Sequence, residues 1–263
     1  MKYGAMNFPI KPLLQEIEDI GELGFDYLEL TMDPPEATPD KIRGQKEEIL
    51  RALDRYGMDL VGHLPTFVLT SDLYESLRQI SLHETIAAME AGIELGIEKM
   101  VLHPSYLTGL AVFVRDRAKR YAMESLQAIS DRAGELGITL CLENMTPKTK
   151  FLAAPEEFEE VFAAFPMLKL SLDTGHAHIG AHGNRGVEFL RKFGERVAHL
   201  HFNDNFGNED NHLPIGAGII DFQGIVKELK KIGYDDTLTI EVFSRDRDYL
   251  RISREKVQEM WGR

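Results

Sequence analysis

The stretches KMVLHPS (99–105), ITLCLENM (138–145), LKLSLDTGH (168–176) and VAHLHFND (197–204) repeat one arrangement. Each is a short apolar run that ends in His, Glu or Asp and then breaks into a turn. Residues two apart share a face of a strand. Val101 therefore lies below His103, Cys141 below Glu143, Ser171 below Asp173 and His199 below His201. Four more runs extend the pattern: KYGAMN (2–7), FDYLEL (25–30), DLVGHLP (59–65) and TLTIEVF (237–243). Their last inward residues include Glu29, His63 and Glu241, with Val61 and Thr239 beneath the latter two. Between the eight runs lie amphipathic segments near 11–23, 40–57, 71–96, 111–137, 155–164, 186–196, 221–233 and 246–261. Gly24, Gly57, Gly96, Gly137 and Gly233 fall just before the next run, where a helix commonly ends in a left-handed cap. Strand, helix, glycine, strand, eight times over, reads as a single (β/α)8 barrel domain spanning 1–263. A doubly wound open sheet is the rival. It lacks support, because no GxGxxG follows the first run and there is no P-loop.

Composition agrees with one barrel. The chain has 263 residues, 43% apolar and 28% charged, and about 250 residues is the size of such a domain. Thirty Lys and Arg against 43 Asp and Glu leave a formal charge of −13, which argues against a surface built for phosphate backbones. No apolar run approaches the roughly 18 residues of a membrane span. The start, MKYGAMNFPIKP, reaches Lys11 and Pro12 before any apolar core of a secretory signal forms. The single cysteine, Cys141, excludes an internal disulfide and fits a reducing compartment. A cytoplasmic protein is the expectation.

The carboxyl ends of barrel strands are where sites are built. Seven of the eight runs deliver Asp, Glu or His there. Carboxylates gathered at one mouth repel each other, and a bound cation removes that cost. The donor types suit Zn²⁺, Mn²⁺, Co²⁺ or Mg²⁺, and Cys141, one layer down, does not indicate a thiolate site. His176, just beyond Asp173, and the pair Asp210 and His212, ahead of Gly216-Ala217-Gly218, add further donors.

The motifs LHPS, LEN, LDTGH, HLHFND, DNHLPIGAG and IEVF resemble those of the xylose isomerase-like TIM barrel superfamily. It includes sugar and sugar-phosphate isomerases and epimerases as well as endonuclease IV-type DNA repair nucleases. The resemblance covers nearly the whole chain. In the isomerase and epimerase branch it implies one divalent metal on Glu143, Asp173, His201 and Glu241. In the nuclease branch it implies three zinc ions, with His63, His103, His176, Asp210 and His212 added. All nine positions carry matching residue types. The chain departs from both patterns. It reads Glu143-Asn144-Met145-Thr146-Pro147 where the nucleases resemble Glu-Asn-Thr-Ala-Gly. It has His201-Phe202-Asn203-Asp204, and Gly207 at the place of a substrate-binding Arg, where ketose 3-epimerases resemble His-x-Gly-Glu.

The favoured reading is an isomerase or epimerase of a small sugar or sugar phosphate, working by proton transfer through a metal-stabilised enediolate. Glu143 and Glu241 are the expected catalytic pair, and His63, His103, His176 and Glu29 the expected substrate contacts, with Glu29 open also to a supporting role behind the metal. The alternatives are a zinc phosphodiesterase acting on abasic-site DNA and a non-catalytic metal- or sugar-binding barrel. The nuclease needs basic loops, and LPTFVLTSD (64–72), AHIGAHGNRG (177–186) and NFGNEDNH (205–212) hold one Arg between them. A carbohydrate partner is expected, nucleic acid and membrane are not, and the resemblance implies a homo-oligomer.

Other residues have plainer expectations. His199 reads as a buried, hydrogen-bonded interior histidine, and His83, His178 and His182 carry no assigned role. Phe67, Tyr106 and Phe206 are candidate pocket walls. Arg245 and Arg247 alternate with Asp246 and Asp248 and read as a self-paired helix start, and RDRAKR (115–120) as a helix surface.

Overall fold

The structure is a computed structural model that describes residues 1–262. Eight parallel strands close into a barrel in chain order. They are β1 (Lys2–Met6), β2 (Tyr27–Thr31), β3 (Asp59–His63), β4 (Lys99–Leu102), β5 (Thr139–Glu143), β6 (Lys169–Asp173), β7 (Val197–Phe202) and β8 (Thr237–Ile240). Closure is made by β1, which pairs with β2 through Ala5 and Leu28 and with β8 through Ala5 and Ile240.

Among the described residues ten α-helices surround it: α1 (Leu13–Glu22), α2 (Pro39–Gly44), α3 (Lys46–Tyr56), α4 (Glu75–Glu94), α5 (Arg115–Leu136), α6 (Phe158–Ala164), α7 (Thr174–His178), α8 (Arg185–Phe193), α9 (Phe222–Lys231) and α10 (Asp248–Trp261). None is long and apolar enough to cross a membrane. The five glycines expected as caps all have positive φ, between 63° and 85°. Segment 40–57 is not one helix. It breaks at Gln45, directly after Gly44.

The core lies between sheet and helices. Strand residues facing outward, among them Leu28, Leu30, Leu142, Leu172, Leu200 and Ile240, are wholly buried there, each contributing about 1.5–3 kcal/mol. The amino end of the barrel is closed by Lys99, whose Nζ donates to Ala198 O at 2.8 Å and Asp236 Oδ1 at 2.7 Å. Above it the Tyr27 ring fills the interior, with its hydroxyl 2.8 Å from Thr239 Oγ1. That ring needs Gly4 on β1, since a Cβ there would lie 2.2 Å from it. Toward the carboxyl end the interior turns polar: Glu29, Glu143, Asp173, His199 and His201 have no exposed surface.

Candidate metal centre

The barrel brings four strand-end donors to one point. His201 Nδ1 lies 3.4 Å from Glu241 Oε2, 3.5 Å from Glu143 Oε1 and 3.8 Å from Asp173 Oδ2. Its other nitrogen, Nε2, is 2.9 Å from Glu29 Oε1. With Nε2 donating to Glu29, Nδ1 is the nitrogen turned to the three carboxylates, and loss of its proton would leave its lone pair for a cation there. Glu29 in turn takes His199 Nε2 at 2.9 Å on Oε2, together with the Thr239 hydroxyl. This carboxylate–histidine pair is the support that metal-binding imidazoles ordinarily have.

A divalent ion fits these donors. Both carboxylate oxygens of Glu143 and Nδ1 of His201 are buried without a hydrogen-bond partner, which is costly unless a cation satisfies them. Ligands about 2.1 Å from a common ion at tetrahedral angles stand about 3.4 Å apart, close to the observed separations. The fit rests on oxygen and imidazole donors, the set that Zn²⁺ and the harder divalent ions share.

Two further groups border the first. His63 Nε2 and His103 Nε2 stand 3.6 and 3.0 Å from Glu143 Oε2. His176 Nε2 and His212 Nε2 stand 3.1 and 3.2 Å from Asp210 Oδ2. Three of these rings are fixed from behind by a backbone carbonyl on Nδ1: His63 by Leu64 O, His176 by Asn144 O and His212 by Glu241 O. Each then turns Nε2 to a carboxylate.

The electrostatics call for positive charge. Burial opposes protonation of His201, yet Glu29, Glu143 and Glu241 outweigh it and hold its pKa well above the usual range. His176 is raised in the same way against burial by Asp173, Asp210 and Glu143, and His212 to about 9 by Glu241 and Asp210. Burial pushes Glu241 up to about 8, opposed by His212 and His201 and reinforced by Asp173 and Glu143. Burial would raise Glu143 too, but His103 and His201 overcome it and keep it well below the carboxylate range.

Over the donors lies a cavity of about 280 Å³. Glu241, His63, His103, His176, Asp210 and His212 reach it, as do Phe8, Phe67, Tyr106 and Phe243. Its size suits a small polar molecule, at the low end of the roughly 300–1,000 Å³ of ligand pockets.

The sequence profile of the xylose isomerase-like TIM barrel family matches residues 17–260. The chain belongs to that family. An uncharacterized protein of Methanocaldococcus jannaschii is 30% identical over 98% of this chain and 92% of its own length. Fructoselysine 3-epimerase of Escherichia coli O157:H7 is 25% identical over 88% of this chain and 86% of its own. Among solved structures, a D-tagatose 3-epimerase-like protein superposes with a TM-score of 0.87 at 29% identity, covering 100% of this chain and 97% of that one.

This xylose isomerase-like barrel gathers all nine donors expected from its sequence. Two expectations need correction. Glu29 does not line the cavity; it is wholly buried and hydrogen-bonded to His201 and His199, the supporting place that its sequence position also allowed. Arg247 does not pair with Asp246 or Asp248. It turns to the buried carboxylate of Glu16, while Asp246 Oδ1 accepts from Asp248 N at 3.0 Å. His199 is buried and bonded to Thr237 and Glu29, as expected. Phe67 and Tyr106 line the cavity, and Phe206 does not.

Two amides and a carboxylate that hold the family motifs in place have no chemical signature of their own in the sequence. Asn144 grips β6, accepting from Asp173 N at 2.8 Å and donating to Asp173 O at 2.9 Å. Asn203 donates to Asp173 Oδ2 at 2.9 Å. Asp204 accepts from the backbone N–H groups of Gly216, Gly218 and Ile220, and so anchors the loop that carries Asp210 and His212. His212 itself adopts φ 45°, a strained value of the sort found at functional sites. The only signal for these residues was their place inside LEN and HFND.

Proposed function

We propose that this protein is a divalent-metal-dependent isomerase or epimerase of a small sugar or sugar phosphate. The observation that carries the reading is the convergence of Glu143, Asp173 and Glu241 on His201 Nδ1 beneath a small cavity. The names of the relatives, fructoselysine 3-epimerase and inosose isomerase among them, support the same class. Glu143, Asp173, His201 and Glu241 would hold the ion, which supplies Lewis-acid stabilisation of negative charge on neighbouring substrate oxygens. Glu143 comes from β5 and Glu241 from just beyond β8, three strands apart around the mouth. One removes the proton from the carbon beside the carbonyl, and the other returns a proton to a neighbouring carbon or the opposite face. His63, His103 and His176 hold substrate hydroxyls, and the aromatic walls exclude water that would quench the carbanionic carbon.

The test is incubation of the metal-loaded enzyme with a panel of ketoses and ketose phosphates in D₂O. Conversion with deuterium taken up at the reacting carbon supports the reading. Absence of both conversion and exchange across the panel overturns it.

The three neighbouring donor groups support a second reading, hydrolysis of a phosphodiester at an abasic site by three zinc ions. Elemental analysis separates the two. About one ion per chain supports the four-donor centre, and about three zinc ions with cleavage of abasic-site DNA supports the second.

A further inference from the structure

A second cavity of about 300 Å³ adjoins the first and shares Phe8 and Phe243 with it. Those rings pack with centroids 5.9 Å apart, and Phe243 also lies 4.4 Å from the His212 ring. The aromatic pair is thus the divide between the metal pocket and its neighbour. The rest of the second wall is Lys11, Ser244, Arg245 and Arg247. One carboxylate stands against these three cations and pairs with two of them. Glu16, wholly buried, takes Phe8 N at 2.7 Å, the Arg247 guanidinium, and Lys11 Nζ at 3.3 Å. Arg247 Nε remains buried without an acceptor. Arg245 has no ionic partner among the described residues, and neither Asp246 nor Asp248 lines the cavity. Lys11 and Arg247 are therefore pinned in place by Glu16, and the cavity keeps an excess of positive charge. In a chain of formal charge −13, beside a centre made of carboxylates, that local sign is selective for an anion.

We propose that this second cavity holds an anionic group of the substrate, a phosphate monoester or a carboxylate, at the end remote from the reacting carbons. The proposal rests on the sugar isomerase or epimerase reading of the neighbouring centre. The substrate chain crosses the Phe8–Phe243 edge. Arg245 supplies the charge-assisted hydrogen bonds that no protein group now takes.

The test has two arms. In the first, kcat/KM is measured on ketoses, their terminal phosphates and the matching keto-uronates, for the wild type, Arg245→Ala and Arg245→Lys. The expected result is a preference of about tenfold or more for one anionic series, which names the phosphate or the carboxylate. That preference collapses toward unity in Arg245→Ala and is partly restored in Arg245→Lys. Equal turnover of charged and neutral substrates, or a preference that survives in Arg245→Ala, overturns the proposal. In the second arm, inorganic phosphate and malonate are titrated calorimetrically into wild type and Arg245→Ala. Binding of either that weakens about tenfold in the variant supports the anion site even if no ketose turns over, in which case the sugar reading alone falls. Binding unchanged by the variant, or none to either protein, overturns the anion site. Arg245 is exposed and has no ion-pair or hydrogen-bond partner among the described residues, so its replacement breaks no such bond.

Discussion

Glu29 on β2 accepts from His201 Nε2 on β7 at 2.9 Å, 172 residues further along the chain, and this bond sets which imidazole nitrogen faces Glu143, Asp173 and Glu241. Replacing Glu29 by Gln puts an amide where two imidazole donors and a hydroxyl need acceptors. The expected outcome is a metal affinity weaker by about 10–100-fold, since that is the usual effect of removing such a support. Competition with a chromophoric chelator measures it, and circular dichroism confirms that the barrel remains.

The catalytic assignment predicts that Glu143→Gln and Glu241→Gln each lower kcat by about 10²–10⁴-fold, the contribution of a positioned acid or base. Deuterium exchange separates their parts. A variant lacking the base loses exchange altogether, whereas one lacking only the returning acid still washes deuterium into recovered substrate. Full activity in both variants would leave the two glutamates without a role in proton transfer.

Gly175 has no room for a side chain, because a Cβ would stand 1.9 Å from Asn203 Oδ1. Gly175→Ala displaces Asn203 from Asp173 and should cost about 1–3 kcal/mol in urea unfolding, the range of overpacked cores. Gly134 in α5 meets nothing within 4 Å, and Gly134→Ala should stabilise by about 0.5–1 kcal/mol through helix propensity. The opposite signs form an internal control.

Asp204 predicts a local failure. Its carboxylate collects the N–H groups of Asn205, Gly216, Gly218 and Ile220. Asp204→Ala leaves them without their acceptor, at a cost of about 2–6 kcal/mol if two are left unpaired. Limited proteolysis should then cut between residues 205 and 220 before any helix is attacked.

Cys141 is wholly enclosed, and burial pushes its thiol up to about 12. At pH 8 essentially no thiolate exists, so an aromatic disulfide reagent should find no reactive thiol in the folded protein and one equivalent after denaturation. Rapid labelling of native protein would show that the barrel interior opens.

The barrel was legible because its signals are local. Val101 and His103, or Cys141 and Glu143, disclose strand alternation within three residues, and Gly57 or Gly137 marks the end of a helix by its own backbone freedom. The donors at the mouth followed from the same alternation. What Glu29 does was not legible, since its partners His199 and His201 are brought to it only by closure of the barrel. The break at Gln45 was marked by Gly44 but masked by a continuous amphipathic pattern. Helix α7 is five residues long, too short to show a period. Arg247 looked self-paired because Asp246 and Asp248 are its neighbours in sequence, whereas Glu16 lies 231 positions away.

Four successive β/α units of the closed ring each contribute their own donors and their own loop: Glu143 from the fifth, Asp173 with His176 from the sixth, His201 with Asp210 and His212 from the seventh, Glu241 from the eighth. The chemistry is therefore partitioned into separately editable modules. A change confined to one unit can alter a single ligand or a single wall while the other seven keep the frame, so divergence of substrate within such a lineage can proceed one segment at a time without passing through an unfolded ancestor.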